Sequence, residues 1–449
     1  MKQKFSKLHK MALIAVVLMF VSGTVNAVTM QLIPAPSYPA QVSIFYPIGT
    51  HGKESANHEY NFSLNLFYGN IFSLNGLEIS GLVNRTQRVR GVQIAGLVNY
   101  SESGANNAIR GVQIAGLVNH SFHGGTSGVQ IGGLFNQTLS ISGVQVGGLF
   151  NSRACCIRGI QVGGLFNVVS SDVYGIQIGG LFNKVGFGVS EVKGVQVGGL
   201  FNVACEVNGV QVGGLLNDAF KVIGLQIGIV NRTIGRVSNS NVTGLQIGGF
   251  NRTCVLGGLQ IGIFNRTQTL NGLQIGLVSI NDTIESGGSL SLVNIVRRGF
   301  YRSWEISVAD YSNLALTYRM GTRNLYTIYT VGANFIEDNL WNIGIGFGHR
   351  RAINANLDFR PEIVTYSYYT MDFRNIQPAF SNHLKLGFVY NVSKNFGISI
   401  APSVFQLSSR RCNSDADFYR VSPIAPFHTR ERNNWQTAFG VGISLGVVF

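Results

Sequence analysis

From residue 76 onward, apolar and polar positions recur in one short pattern: Gly, apolar, Gln, apolar, Gly or Ala, Gly, two apolars, Asn. The cores read GLEISGLVN from Gly76, GVQIAGLVN from Gly91 and Gly111, and GVQIGGLFN from Gly128. The series continues at Gly143, Gly159, Gly175, Gly194, Gly209, Gly224, Gly244, Gly258 and Gly272, and a worn copy, GSLSLVN, begins at Gly288. A unit of roughly sixteen residues is too short for a helical-hairpin repeat, which needs more than about thirty. Apolar residues alternate around the Gln with period two, so each core is predicted to be a strand. One such unit cannot bury its own apolar face, whereas stacked copies can, so the array over 76–296 is expected to form a parallel β-solenoid. An antiparallel meander competes with it, but the linkers are often too short and polar to be full partner strands.

In that stack Val129 and Ile131 are expected to point inward and Gln130 outward, with Gln over Gln and Asn136 over Asn151 as amide ladders. The Gly pair and the Asn suit corners. From Gly224 to Gly272 several cores are one residue short: GLQIGIVN, GLQIGGFN, GLQIGIFN. A deletion inside a paired strand flips every later side chain, so the missing residue is expected at a corner. The stretches after Asn vary in length and mark the loop side, where a binding face is expected. At ~4.8 Å per coil, the fourteen cores stack to ~65 Å.

After Arg298 the period changes to segments of about ten residues that alternate apolar with small or polar, the signature of a membrane barrel. Phe439, Val441, Ile443, Leu445, Val447 and Phe449 share one face of the last segment. Other segments are Trp304–Ala309, Leu314–Met320, Leu325–Phe335, Leu357–Tyr369, and those around Ile343, Leu384 and Ile398. These make about eight strands over 297–449. A lipid-embedded sheet must close, because lipid offers its edges no hydrogen bonds. Two segments within 28–75, Gln41–Pro47 and Asn61–Tyr68, are candidates to complete a barrel of about ten strands. Tyr366, Tyr368, Tyr369, Trp304, Trp341 and Trp435 are candidates for interfacial girdles.

The N-terminus reads as a signal peptide over 1–27. Lys2, Lys4, Lys7 and Lys10 precede the apolar run Met11 to Val21, and Val25-Asn26-Ala27 is a small-residue cleavage site. That run is too short to span a membrane as a helix, so the chain is expected to be exported to the cell outer membrane of a Gram-negative cell. Charged residues are only 12% and hydrophobic residues 45%, which argues against disorder. The 57 glycines follow no Gly-X-Y period, so this is not collagen. The formal charge is +14, and losing four signal lysines leaves +10 (14 − 4). Beyond outer-membrane lipid, a basic exported chain is expected to meet lipopolysaccharide, a polyanionic glycan or another envelope protein, and not nucleic acid. Cys155, Cys156, Cys205, Cys254 and Cys412 are odd in number and lack C-x-x-C, so they form neither a zinc pattern nor a disulfide scaffold.

No catalytic constellation emerges: there is no G-x-S-x-G, H-E-x-x-H, P-loop or calcium loop. Gly344-Ile345-Gly346-Phe347-Gly348 sits mid-strand with no following helix, and so reads as barrel interior. His349, Asp358 and Glu362 are the one group with acid–base potential, at a barrel rim, where charges are ordinary. No catalytic, metal or cofactor residue is therefore assigned, and no cofactor is expected. The N-x-S/T triplets, such as Asn84-Arg85-Thr86, arise from the repeat Asn followed by a polar turn.

The repeats G-V-Q-I-G-G-L-F-N and G-L-Q-I-G-I-V-N resemble the leptospiral-type surface-repeat family, which also occurs widely in Bacteroidetes. Gln41 to Thr50 resembles the opening of such proteins. Ser291 to Val296, then Trp304-Glu305-Ile306-Ser307 and Met320-Gly321-Thr322-Arg323, resemble their exit from the repeats. The resemblance covers most of the mature chain. It implies an outer-membrane, cell-envelope protein of unknown function and carries no functional residues. The leading expectation is a non-enzymatic structural or interaction protein, anchored by the barrel and displaying the repeats. A narrow channel and a rim enzyme are the alternatives. The side of the membrane the repeats face and the oligomeric state stay open.

Overall fold

The computed structural model describes residues 35–102, 109–121, 124–186, 190–234, 241–335, 340–370, 379–393, 395–410, 424–432 and 435–449. The segment 1–27, read from the sequence as a signal peptide, and Cys412 lie outside the described residues. The described chain is all-β: a parallel β-solenoid followed by a closed antiparallel β-barrel.

Each core contributes one rung, in register with the next. Gln130 pairs beside Gln145, Gln145 beside Gln161, and Asn136 beside Asn151, all in parallel. Two columns of glycine make this tight stacking possible. Gly159 has φ +132°, and a Cβ there would lie 2.1 Å from the carbonyl oxygen of Gly143 one turn back. Gly164 lies as close over Gly148 at the next bend. The short cores keep register across their deletion: Val212 pairs with Ile227 and Leu216 with Val230, so the missing residue falls between the strands. The worn last copy is aligned one residue earlier than its sequence suggests, because Gly287, not Gly288, stacks over Gly272.

The orientation of the rungs is opposite to the expected one. Gln130 is fully buried, whereas Ile131 is 41% exposed. The alternation runs unbroken through the bend glycine, so the aliphatic position before it and the Gln after it fall on the same inward face. Ile141, two residues before Gly143, points inward, and Gln145, two residues after it, also points inward. Each turn therefore has two halves. In one, an aliphatic column (Ile141, Ile157, Val173, Val192, Val207, Val222) fills the interior and polar residues such as Arg110, Arg158 and Lys193 face out. In the other, Gln and Asn fill the interior, and Val, Ile, Leu and Phe face out.

The two segments proposed as extra barrel strands are instead rungs of the solenoid. Ser37–Phe45 runs parallel to Glu59–Ser80, with Gln41 beside Ser63, and Glu59–Ser80 runs parallel to the next rung. They are degenerate copies: Gln41 and Ser63 occupy the Gln position, buried, while Val42 and Leu64 face out. Ile48–Gly49 pairs against the first rung and a short 3-10 helix, Gly52–Asn57, lies beside it, so the edge is partly covered.

The barrel has eight strands: Tyr301–Ala309, Ser312–Gly321, Tyr326–Asn334, Leu340–Gly348, Leu357–Thr370, Ala379–Ser393, Phe396–Arg410 and Trp435–Val448. It closes where Glu305 pairs with Val448 and Ala309 with Ser444. Val441, Ile443 and Leu445 face out and Gly442 and Ser444 face in, as the alternation predicts. Solenoid and barrel meet at one end of the barrel. The Thr327 hydroxyl donates to the Ser291 carbonyl at 2.7 Å, and Leu325 packs beside Gly288.

Candidate functional site

Three features carry chemical character: the amide interior of the solenoid with its apolar flank, the barrel lumen, and the junction between them.

Inside the solenoid, every repeat-core Gln from Gln113 to Gln274 donates its Nε2 to the Oε1 of the core Gln one turn earlier. Gln130 reaches Gln113 at 2.7 Å and Gln145 reaches Gln130 at 2.9 Å. The Asn column runs the other way. Asn136 donates to Asn151 Oδ1 at 2.9 Å on the following turn and to the Val146 carbonyl at 2.6 Å. Buried amides are tolerated only when paired, and stacking pairs them. The unbroken run of the Gln column stops at Glu78, the one acidic residue at a Gln position, with Ser63 and Gln41 at the same position beyond it. Its carboxylate accepts from Gln93 Nε2 at 2.9 Å, Thr86 Oγ1 at 2.7 Å and Asn65 Nδ2 at 3.3 Å. Burial pushes its pKa up to about 7, against the lowering effect of those donors.

Outside this half lies a continuous apolar flank. Among the fourteen cores from Gly76 to the last copy, no outward residue is charged. Phe135, Phe150, Phe166 and Phe182 stack along it, with centroids 4.8 to 4.9 Å apart and planes within 5°. Charges gather on the other half, where Arg85 pairs with Glu102 at 2.7 Å and Lys193 with Glu191 at 2.9 Å.

The barrel lumen is filled by side chains. Arg319 Nε donates to Glu362 Oε1 at 2.7 Å and Nη2 to Oε2 at 3.0 Å, a two-pronged pair, while Nη1 lies 2.8 Å from Glu305 Oε2. Tyr326 and Ser399 donate to the same two carboxylates. This charged layer lies toward the solenoid. The far half of the lumen is aromatic, with Tyr366, Tyr368 and Phe405 packed around Tyr311 and His383. Tyr366 and Tyr368 are thus lumen residues, 2% exposed, and not girdle residues. The remaining candidates sit at the two ends. Trp304 lies by Tyr318 near the solenoid, and at the other end Trp341 stacks on Tyr369 and Trp435 on Phe380.

The rim group is not assembled. His349 Nδ1 contacts the Asn324 carbonyl at 2.8 Å, Asp358 pairs with Arg350 at 2.6 Å and accepts from Asn391, and Glu362 is held by Arg319. The interior amides and the lumen ion cluster were missed in the sequence. Their signal was the recurring Gln and Asn of the repeats and the isolated charges inside alternating strands. Among the described residues no group of His, Cys, Asp or Glu has metal-binding geometry.

At the junction a cavity of about 470 Å³ is lined by Arg298, Arg302, Arg323 and Arg350, with Tyr301 and Thr322 among its other walls.

Comparison with protein-family models, curated proteins and solved structures finds no match.

Proposed function

We propose that this chain is a structural or interaction protein of the cell envelope, anchored in the outer membrane by its barrel and displaying the solenoid beside it. The observation that carries this reading is an inside-out arrangement repeated in both parts. The barrel turns Val441, Ile443 and Leu445 outward and ions inward, and the solenoid flank turns Ile131 and Ile178 outward and amides inward. Burying polar groups behind an apolar exterior suits a lipid surrounding, where every backbone group must be paired internally. Aromatic pairs at both barrel ends fit two interfaces. The surface-repeat resemblance points the same way. The lumen cluster of Arg319, Glu305 and Glu362 crosses the path a channel needs, so transport has no observation in its favour.

The flank's partner on this reading is lipid. It is charge-free along its length, and its last rung, with Leu292 and Val293 exposed, abuts the barrel end. In cell fractionation, the mature protein is expected to stay with outer membranes through an alkaline wash. Recovery as a soluble periplasmic protein contradicts the anchor. In reconstituted vesicles, a fluorophore at Ile178 is expected to be quenched by brominated lipid, and one at Lys193 is not. Absence of quenching at both sites, with cross-linking between copies through the flank, assigns that face to a second copy instead.

A further inference from the structure

The junction cavity concentrates like charge. Arg298, Arg302, Arg323 and Arg350 line one space of about 470 Å³, a size suited to a small ligand or headgroup. Among the described residues Arg350 alone of the four has a carboxylate partner, Asp358 at 2.6 Å. That pair, and the Tyr301 ring 5.3 Å from the Arg350 guanidinium, fix Arg350 in place. Arg298, Arg302 and Arg323 are exposed and make no ion pair among the described residues. Nearby, Arg360 also lies by the Tyr301 ring, at 5.9 Å, and is only 3% exposed. Its Nε and Nη1 have no hydrogen-bond partner, an expensive state for a buried cation. Four guanidinia around one opening, with a fifth buried close by and short of partners, repel one another unless an anion sits among them. The available carboxylates do not balance them locally: Glu362 and Glu305 are engaged by Arg319, and Asp282 by Arg297.

We propose that this junction is a phosphate-binding site, with Arg302 and Arg323 as the free forks, Arg298 beside them and Arg350 as the fixed one. Guanidinium groups recognise phosphate by paired N–H donors, which lysine cannot reproduce. The cavity opens at the barrel end that carries Trp304 and Tyr318, so the phosphate comes either from a lipid headgroup or from a soluble phosphate compound. The site does not depend on the membrane reading of the flank, because a soluble ligand tests it as well.

The test uses full-length mature protein in neutral detergent. One arm titrates mixed micelles containing phosphatidic acid, and the other titrates pyrophosphate. Arg302→Gln/Arg323→Gln is compared with a control pair on the solenoid, Arg90→Gln/Arg110→Gln, which removes the same charge. Binding in the wild type that falls at least tenfold in the junction variant and stays within twofold in the control supports the site. Binding of micelles alone assigns the ligand to lipid, and equal binding of pyrophosphate assigns it to a soluble compound. No wild-type binding in either arm, or equal loss in both variants, overturns it. Arg302→Lys/Arg323→Lys keeps the charge and guards against misfolding. It is expected to bind at an intermediate level, and wild-type affinity in that variant also counts against a guanidinium-specific site.

Discussion

Glu78 replaces Gln where the unbroken run of amides stops, and the exchange has a pH signature. Its folded pKa, about 7, lies above the usual carboxylate range because burial disfavours the charge. The folded state therefore holds a proton that the unfolded chain has lost, so stability falls as pH rises from about 4.5 to about 7 and levels off above. The span corresponds to a loss on the order of 3 kcal/mol. Glu78→Gln is expected to remove that slope and to stabilise the first rungs at pH 8, read by amide hydrogen exchange at both pH values. A second residue tests the column itself. Gln177 donates to Gln161 and accepts from Gln196, both at 2.9 Å. Gln177→Leu strands one buried acceptor and one buried donor, at about 1–3 kcal/mol each, and faster exchange is expected on the neighbouring turns. That these amides are internal was not legible from apolar alternation. Either face of that half could turn inward on alternation alone; what decides it is parity with the buried aliphatic residue four positions earlier, as Ile141 is to Gln145. Tyr366 and Tyr368 failed for a related reason: aromatic identity does not say which face of a barrel strand a residue occupies, whereas parity with the exposed Ile363 and the buried Val364 does.

A rung is the natural unit at the next scale, and it stands only against its neighbours. Gly159→Ala puts a Cβ 2.1 Å from the Gly143 carbonyl at φ +132°. Gly163→Ala also brings a Cβ near backbone, 2.4 Å from the Phe166 carbonyl oxygen, but at ordinary φ and at the position where the native chain accommodates Ala95 and Ala115 in earlier rungs. The first is expected to open the stack locally, with protease cutting near residue 159, and the second to leave it closed. Limited proteolysis followed by mass mapping distinguishes them, and equal cutting in both contradicts the role of the glycine column. Strand character, parallel stacking and the corner position of the deletions were all readable from repetition. The first rungs were not, because Gln41 and Ser63 keep the inward polar position while losing the glycines that identify a core. Their alternation is equally that of a barrel strand, and only the parallel pairing of Val42 with Leu64 separates the two.

Taken whole, the molecule is a rod with one charged and one apolar side, joined to an eight-stranded cylinder with an ionic interior. The barrel was the most legible part of the chain, since strict alternation over short strands leaves few other folds. Its lumen was less so, because Arg319 is brought to Glu362 across forty-three residues. The account rests on that cylinder facing lipid. Spin labels placed singly at 440–447, with the five native cysteines replaced by serine, report this in reconstituted vesicles. Collision with oxygen is predicted to peak at 441, 443 and 445, where collision with a water-soluble nickel chelate stays low. Nickel collisions as frequent at those three sites as on an exposed loop would contradict it.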